Sequence, residues 1–250
     1  MKALITFAVD SEFAPWRKLR PFARLEQPDS FRCNFGDVEV LVVFTGVGAK
    51  KPWLDIARNI WSGPIDVCIS SGLAGALRDS YGVGEIIAPR TVASQSHNQK
   101  IACDAELLDL ARSCGAETAP ALLTVDRVIL KAADKQELGE SGDIVDMESA
   151  EVLVQAAALG ARVACVRAIS DCSSEDLPLD FNRVVTHDGE VSVPRVLGEL
   201  AMHPSALPGL VRFGRQSHAA AEALAIFLDR YVQGLALAFA GKMPQEIAAR

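Results

Sequence analysis

At residues 163–171 the chain reads VACVRAISD, its strongest indication of a buried strand with chemistry at one end. The apolar run predicts a strand that ends at Ile169. Arg167 stands within this run, and a buried guanidinium needs a carboxylate partner. Asp171 follows the strand directly. It is either the N-cap of a helix, for which aspartate is well suited, or an acid at the edge of a polar site.

A second acidic segment lies upstream, where residues 145–149 read VDMES. A short predicted strand becomes a helix at this point. Acids are favoured at a helix N-terminus because the helix dipole attracts them. Glu148 is therefore either an ordinary first-turn acid or a carboxylate that points into a crevice. In the second case it could accept both hydroxyls of a ribose.

Outward from these segments, short apolar runs alternate with amphipathic ones, as in a sheet covered by helices. Gly36-Asp37 lies between two such runs and predicts a hairpin. The predicted strands are residues 3–9, 31–35, 38–44, 65–70, 85–88, 122–125, 144–146 and 163–169. The predicted helices are residues 49–61, 105–113, 131–138 and a segment from about residue 148, and the pattern is helical again after Pro178.

Four of the predicted strands end in a small or acidic residue that opens a loop. These loops begin at Asp10, Thr45, Ser70 and Ser170. Ligands of α/β sheets bind at the carboxyl ends of the strands, so we expect a crevice at these four ends.

Glycines follow two of these strands. Gly46-Val47-Gly48 lacks the third glycine of a dinucleotide fingerprint, and the chain has no P-loop motif. A tight turn between strand and helix accounts for this segment. Residues 70–75, SSGLAG, are equally consistent with a packing turn and with a loop that lets a flat ligand approach the backbone.

The composition indicates a globular protein that acts on a small molecule. Half of the 250 residues are apolar, and the formal net charge is −7 with the basic residues scattered. A nucleic-acid-binding protein usually carries a basic face, so no nucleic-acid partner is expected. A serine hydrolase is not expected either, because the chain has no G-x-S-x-G motif and its four histidines fall in predicted loops or helix ends.

The cysteines and the apolar segments bear on the compartment. The six cysteines lie far apart, without a C-x-x-C pair or a histidine at ligand spacing, so no metal, cofactor or disulfide framework is expected. Reduced thiols and the lack of a signal peptide predict a cytoplasmic protein. Charged residues interrupt the apolar stretch 219–240, which predicts a helix packed on the body or between subunits and not a membrane span.

Together these segments resemble the purine/uridine phosphorylase family and, within it, the 5′-methylthioadenosine/S-adenosylhomocysteine nucleosidases. The matching segments are the opening strand with Glu12, and residues 45–48, 71–75, 145–148 and 166–171, in the family's order. The resemblance implies an α/β protein of three-layer α/β/α type with a central mixed, partly barrel-like sheet. It also implies a single domain over residues 1–250, with a helical C-terminal extension from about residue 190.

The resemblance further implies a role for each site residue. Asp171 would donate a proton or hydrogen bond to purine N7, and Glu12 would deprotonate the attacking water. Glu148 would hold the ribose hydroxyls, with Met147 against the sugar. The pocket for the nucleophile or an anion would contain Gly46, Gly48, Ser71, Gly72 and Arg167, and the base would contact Ala74, Gly75, Val128, Ile129 and Ser170.

Two departures from the phosphate-using members favour water as the nucleophile. Those members carry an arginine just after the strand that ends here at Ile69, where this chain has Ser70. Their first loop contains glycine and arginine, where this chain has residues 10–12, DSE. The implied function is hydrolysis of the N-glycosidic bond of a purine nucleoside, adenine being the expected base. A phosphate-dependent phosphorylase and a non-catalytic nucleoside-binding relative are the alternatives.

Other departures concern the substrate. Leu73 stands where the nucleosidases usually have serine, and their longer insert is missing around residues 96–100. With residues 146–149 and the tail 188–210, this pattern resembles the hopanoid-associated phosphorylase-like members, which are credited with removing adenine from an adenosyl-lipid. A bulky apolar 5′ group on the substrate is therefore expected. Relatives are commonly dimers or hexamers, so a homodimer or higher homo-oligomer is expected.

Overall fold

One mixed sheet of ten strands runs through the computed structural model, which describes residues 1–97 and 99–240. The strands are β1 (Lys2–Phe7), β2 (Ala23–Arg24), β3 (Ser30–Phe35), β4 (Val38–Phe44), β5 (Val67–Ala76), β6 (Ile86–Ser94), β7 (Lys100–Ala102), β8 (Glu117–Thr124), β9 (Ile144–Asp146) and β10 (Arg162–Asp171). The helices are α1 (Asp10–Leu19), α2 (Trp53–Ile60), α3 (Ala105–Ser113), α4 (Ala132–Leu138), α5 (Ser149–Ala158), α6 (Phe181–Val184), α7 (Val193–Met202) and α8 (Leu207–Phe239), with a 3₁₀ turn at Pro204–Ala206.

The sheet closes on itself over half of its width. Its strand order is β10-β6-β8-β9-β5-β1-β4-β3-β2, with β7 on β6, and β10 pairs with β5 as well. The ring therefore contains β5, β10, β6, β8 and β9, and the remaining strands form an open, twisted extension. This arrangement confirms the predicted mixed, partly barrel-like sheet.

Strand β1 shows how the sequence produces three layers. Ile5 and Phe7 belong to the hydrophobic cluster under α1, α3 and α8, whereas Leu4 belongs to the cluster under α2 and α5. Successive side chains of a strand point to opposite faces, so a continuously apolar strand must be covered on both sides. The predicted α/β/α layering is confirmed.

The predicted C-terminal helix is α8, which packs along one face of the sheet. Leu224, Leu228 and Tyr231 are fully buried and repeat at helical spacing. Asp229, one of the charges that interrupt the apolar stretch, pairs at 2.5 Å with Arg20, which follows α1. Within residues 1–97 and 99–240, no helix is both long and apolar enough to cross a bilayer.

The hairpin was predicted correctly, but three of the four predicted loops were wrong. Residues 10–12 begin α1, because acids suit the first turn of a helix. Strand β5 continues through residues 70–76, since β10 remains paired with it as far as Gly75. Strand β10 includes Ser170 and Asp171, so Asp171 is not a helix N-cap. The predicted helix 49–61 begins only at Trp53, after a turn that Pro52 ends.

Candidate active site

A cavity of about 290 Å³ opens beside the ends of β1, β5, β9 and β10. Its walls are mostly apolar, yet Glu12, Glu148 and Asp171 all line it. Each of the three carboxylates is at least nine-tenths buried. The structure therefore brings together three acids that are far apart in the sequence.

Glu12 lies in the first turn of α1 and reaches back across the strand end. Its Oε2 accepts hydrogen bonds from the N–H groups of Ala8, at 2.9 Å, and Val9, at 3.4 Å. Its Oε1 accepts one from Leu73 N–H at 2.9 Å. Burial raises the pKa of Glu12, while Arg167 and these N–H groups oppose the shift. A carboxylate with a raised pKa is a better proton acceptor than an exposed one.

Glu148 precedes α5 and points away from it. Its Oε1 accepts a hydrogen bond from Gly48 N–H at 2.8 Å, and its Oε2 lies 4.0 Å from Arg167. Burial raises the pKa of Glu148, and the neighbouring Asp146 and Glu12 raise it further, whereas Arg167 opposes them. The side chain of Glu148 forms no capping hydrogen bond to α5, so Glu148 is not a simple helix cap.

Arg167 is buried behind the cavity and has the carboxylate partner that its apolar setting requires. Two of its nitrogens donate to Asp146 Oδ2, at 2.6 and 2.9 Å. Its Nη2 also donates to Ser70 Oγ at 3.1 Å and to Ser149 Oγ at 2.8 Å. The guanidinium thus balances the charge of Asp146 first and that of Glu148 at longer range.

Asp171 is held by a lysine that the sequence reasoning missed. Lys135 of α4 is 1% exposed, and its Nζ donates to Asp171 Oδ2 at 2.6 Å. The second carboxylate oxygen accepts from Ser170 Oγ at 2.6 Å. A Cβ on Gly75 would come within 3.0 Å of Asp171 Oδ2, so only glycine leaves room for the carboxylate there. A lysine in an amphipathic helix is normally predicted to be solvent-exposed, and nothing in the sequence distinguishes Lys135 from an exposed lysine.

The model for the phosphorylase superfamily matches residues 4–193. The chain belongs to the phosphorylase superfamily. Solved structures of other proteins show the same fold. The methylthioadenosine/S-adenosylhomocysteine nucleosidase of Campylobacter jejuni has a TM-score of 0.68 at 18% identity, over 93% of this chain and 99% of that one. No curated protein sequence gives a significant match.

Two further structures support the same conclusion about the fold. The futalosine hydrolase of Helicobacter pylori has a TM-score of 0.68 at 16% identity, over 93% of this chain and 97% of that one. The nucleosidase of Neisseria meningitidis, solved with methylthio-immucillin-A, has a TM-score of 0.69 at 14% identity, over 93% and 99% of the two chains. The chain therefore shares its fold with these three solved structures.

The residues that the resemblance grouped around the base lie in the cavity wall. The lining residues include Ala74, Gly75, Val128, Ile129 and Ser170, together with Met147 from the predicted sugar site. The side chain of Asn182 holds Val128 in place. It accepts a hydrogen bond from Val128 N–H and donates one to Val128 O. The placement agrees with the predicted grouping, whose role in binding stays a prediction.

The residues predicted for an anion pocket are placed differently. Among the described residues, the cavity lining does not include Gly46, Gly48, Ser71, Gly72 or Arg167. The N–H groups of residues 46–48 are already bonded, to Ala8 O, to Gly189 O and to Glu148. Gly72 has φ +145°, and a Cβ there would lie 2.5 Å from Arg167 Nη1 and 3.0 Å from both carboxylate oxygens of Glu12. Gly72 therefore makes room for Glu12 and Arg167, and residues 46–48 form no free N–H cradle.

One wall of the cavity comes from a part of the chain to which the sequence reasoning gave no site residue. Its members follow β10 in the sequence and are Leu177, Phe181, Val185, Val191, Phe213 and Ser217. The rings of Phe181 and Phe213 lie 5.1 Å apart and tie α6 to α8. Helical periodicity predicts helices in this region but not which of their faces meets a cavity. Within the described parts of the chain, no cluster of His, Cys, Asp and Glu has the arrangement of a metal site.

Proposed function

We propose that this protein hydrolyses the N-glycosidic bond of a purine nucleoside. The observation that carries the proposal is the convergence of Glu12, Glu148 and Asp171 on one apolar cavity at the strand ends. Cleavage of a nucleoside passes through a sugar with oxocarbenium character, and fixed carboxylates stabilise the positive charge that develops there. The nucleosidase-type fold agrees with this chemistry.

Each carboxylate has a position suited to a different part of the substrate. Asp171 lies next to the small residues Ala74 and Gly75, which leave space for a flat base, and it would serve the leaving purine. Glu148 keeps an oxygen available beyond its bond to Gly48 and would hold the ribose hydroxyls, with Met147 against the ring. Glu12 would accept the proton of the attacking water.

Water is the better nucleophile for this site. A phosphate dianion needs cations or free N–H groups, and the N–H groups of residues 46–48 are bonded elsewhere. Ser70, which stands in place of the phosphate users' arginine, is fully buried and shares its hydroxyl with Ser149 and Arg167. A phosphate beside Glu12 and Glu148 would also meet two acids in a largely apolar cavity, which is unfavourable.

The missed apolar wall fits the expected 5′ substituent. Val185, Val191 and Phe213 offer no charge to a ligand, and they line the same cavity as the proposed base contacts. Burying an apolar 5′ group against them would contribute about 25 cal/mol per Å² of buried surface. We therefore favour an adenine nucleoside with an apolar 5′ group. The expected homo-oligomeric state, the cytoplasmic location and the single domain over residues 1–250 stay predictions.

A panel of nucleosides tests the proposal. Adenosine, inosine, uridine and adenosines with 5′-alkylthio groups of increasing length would be incubated with the protein, and free base would be measured by chromatography. Release of adenine, fastest from the longer 5′ groups, is expected. A phosphorylase would release base only when phosphate is present. A non-catalytic relative would bind the nucleosides, as measured by calorimetry, and release nothing.

A further inference from the structure

A buried lysine with all its hydrogen-bond donors used stands behind the proposed acid. Besides Asp171, the ammonium of Lys135 donates to the carbonyl oxygens of Cys172 and Glu175, both at 2.9 Å. Three N–H bonds therefore meet three acceptors, the full donor capacity of a lysine. The side chain is fixed in direction, and its 2.6 Å contact with Asp171 Oδ2 is short enough for a proton to move between the two atoms.

The Lys135–Asp171 pair can supply the proton that the leaving base requires. When the bond between C1′ and N9 breaks, its electron pair moves into the purine, and N7 must gain a proton for the base to leave easily. An aspartyl side chain in water is ionised at neutral pH and has no proton to give. The Nζ–H bond of Lys135 that points at Asp171 Oδ2, however, offers a proton that the carboxylate alone lacks.

We propose that Lys135 is the source of the proton that Asp171 gives to the leaving purine. An Nζ–H bond of Lys135 breaks and an O–H bond forms on Asp171. This O–H bond then breaks as the N7–H bond forms and the C1′–N9 bond opens. Lys135 is left as a neutral amine and regains a proton from water after the base departs. The inference rests on the proposed function, since it concerns the same leaving group.

A bound substrate would enclose the pair. Lys135 is only 1% exposed, so its contact with Asp171 lies apart from bulk water even before a ligand arrives. A purine in the cavity would displace water from Asp171, which is 7% exposed even without a ligand. Lys135 itself lines the main cavity, so water that enters this cavity after the base leaves would restore the proton.

The test compares two leaving groups with different proton requirements. Adenosine needs a proton on its base, whereas p-nitrophenyl riboside releases a phenolate that leaves without one. Lys135→Gln keeps donors for the neighbouring carbonyls but has no transferable proton. Lys135→Arg keeps the positive charge, yet arginine is not deprotonated in proteins. Lys131→Gln, on the exposed side near the start of the same helix, is the matched control.

We expect Lys135→Gln to lower kcat/KM for adenosine by at least about 100-fold, the usual contribution of a general acid, and to leave p-nitrophenyl riboside within about threefold of the wild type. Lys135→Arg should lose as much on adenosine, while Lys131→Gln should behave as the wild type. Activity on p-nitrophenyl riboside also reports that each variant is folded.

Three outcomes would overturn the inference. They are unchanged adenosine cleavage by Lys135→Gln, full rescue by Lys135→Arg, and equal losses on both leaving groups. Rescue would mean that only the charge matters, and equal losses would mean that Lys135 only supports the fold. If Lys135→Gln does not fold, the comparison of Lys135→Arg with the wild type on both substrates still tests whether Lys135 supplies the proton. A wild type that releases no base from any purine nucleoside would refute the proposed function instead.

Discussion

Replacing Arg167 with methionine should destabilise the protein strongly, because this change leaves buried acids without their cation. Arg167 is 1% exposed and contacts Asp146 at 2.6 Å, and Asp146 and Glu148 are 6% and 7% exposed. Removing one partner of a buried ion pair costs about 3–5 kcal/mol of unfolding free energy. For a chain of this size 1 kcal/mol corresponds to about 2–4 °C, so Tm should fall by about 6–20 °C.

Thermal and urea denaturation measure this effect, and two further variants control for it. Arg162→Met removes the ion pairs with Asp104 and Glu106 at the exposed start of the same strand, where about 1 kcal/mol or less is expected for each. The double variant Arg167→Met/Asp146→Asn removes both buried charges and should be more stable than Arg167→Met alone. If Arg167→Met lowers Tm no more than Arg162→Met does, the guanidinium is not the electrostatic centre of the site.

Three further results are expected from the two carboxylates nearest the substrate. Asp171→Asn should lower purine cleavage by about 10²–10⁴-fold with a Tm near that of the wild type, and near-normal turnover would remove its role at the base. Glu148→Gln should slow ribosides far more than 2′-deoxyribosides in kcat/KM, whereas equal losses would exclude the contact with the ribose hydroxyls. Because burial raises the pKa of Glu148 above its unfolded value, the folded protein binds an extra proton, and its stability falls as pH rises from about 4.5. The Tm of Glu148→Gln relative to the wild type should therefore increase between pH 5 and pH 8, and a constant difference would contradict this.

The layered sheet could be predicted because its information is local. Strand β1 is apolar at every buried position except Thr6, and the hairpin turns at Gly36, which has φ +56°. The ends of β5 and β10 could not be predicted in the same way. Ser71, Gly72 and Asp171 are typical loop residues, and they stay in strands only because β5 and β10 pair with each other. That pairing joins segments about ninety-five residues apart, which no local pattern reveals.

The residues of the candidate site also differ in whether the local sequence predicts them. Glu12, Glu148 and Asp171 could be selected because each follows a predicted strand in a segment that resembles the phosphorylase family. Lys135 could not, since its burial depends on how α4 packs over the end of β10. The apolar wall at Phe213 depends likewise on the fold of the C-terminal helices.

The identity of the sugar product tests the central claim most directly. The wild type would be incubated with the best adenine nucleoside of the panel, with and without phosphate, and the sugar would be identified by chromatography. We expect free ribose, or its 5′-substituted form, at the same rate in both conditions, and a loss of about 10²–10⁴-fold for Glu12→Gln. A sugar 1-phosphate as the dominant product, or full hydrolytic activity of Glu12→Gln, would contradict the account.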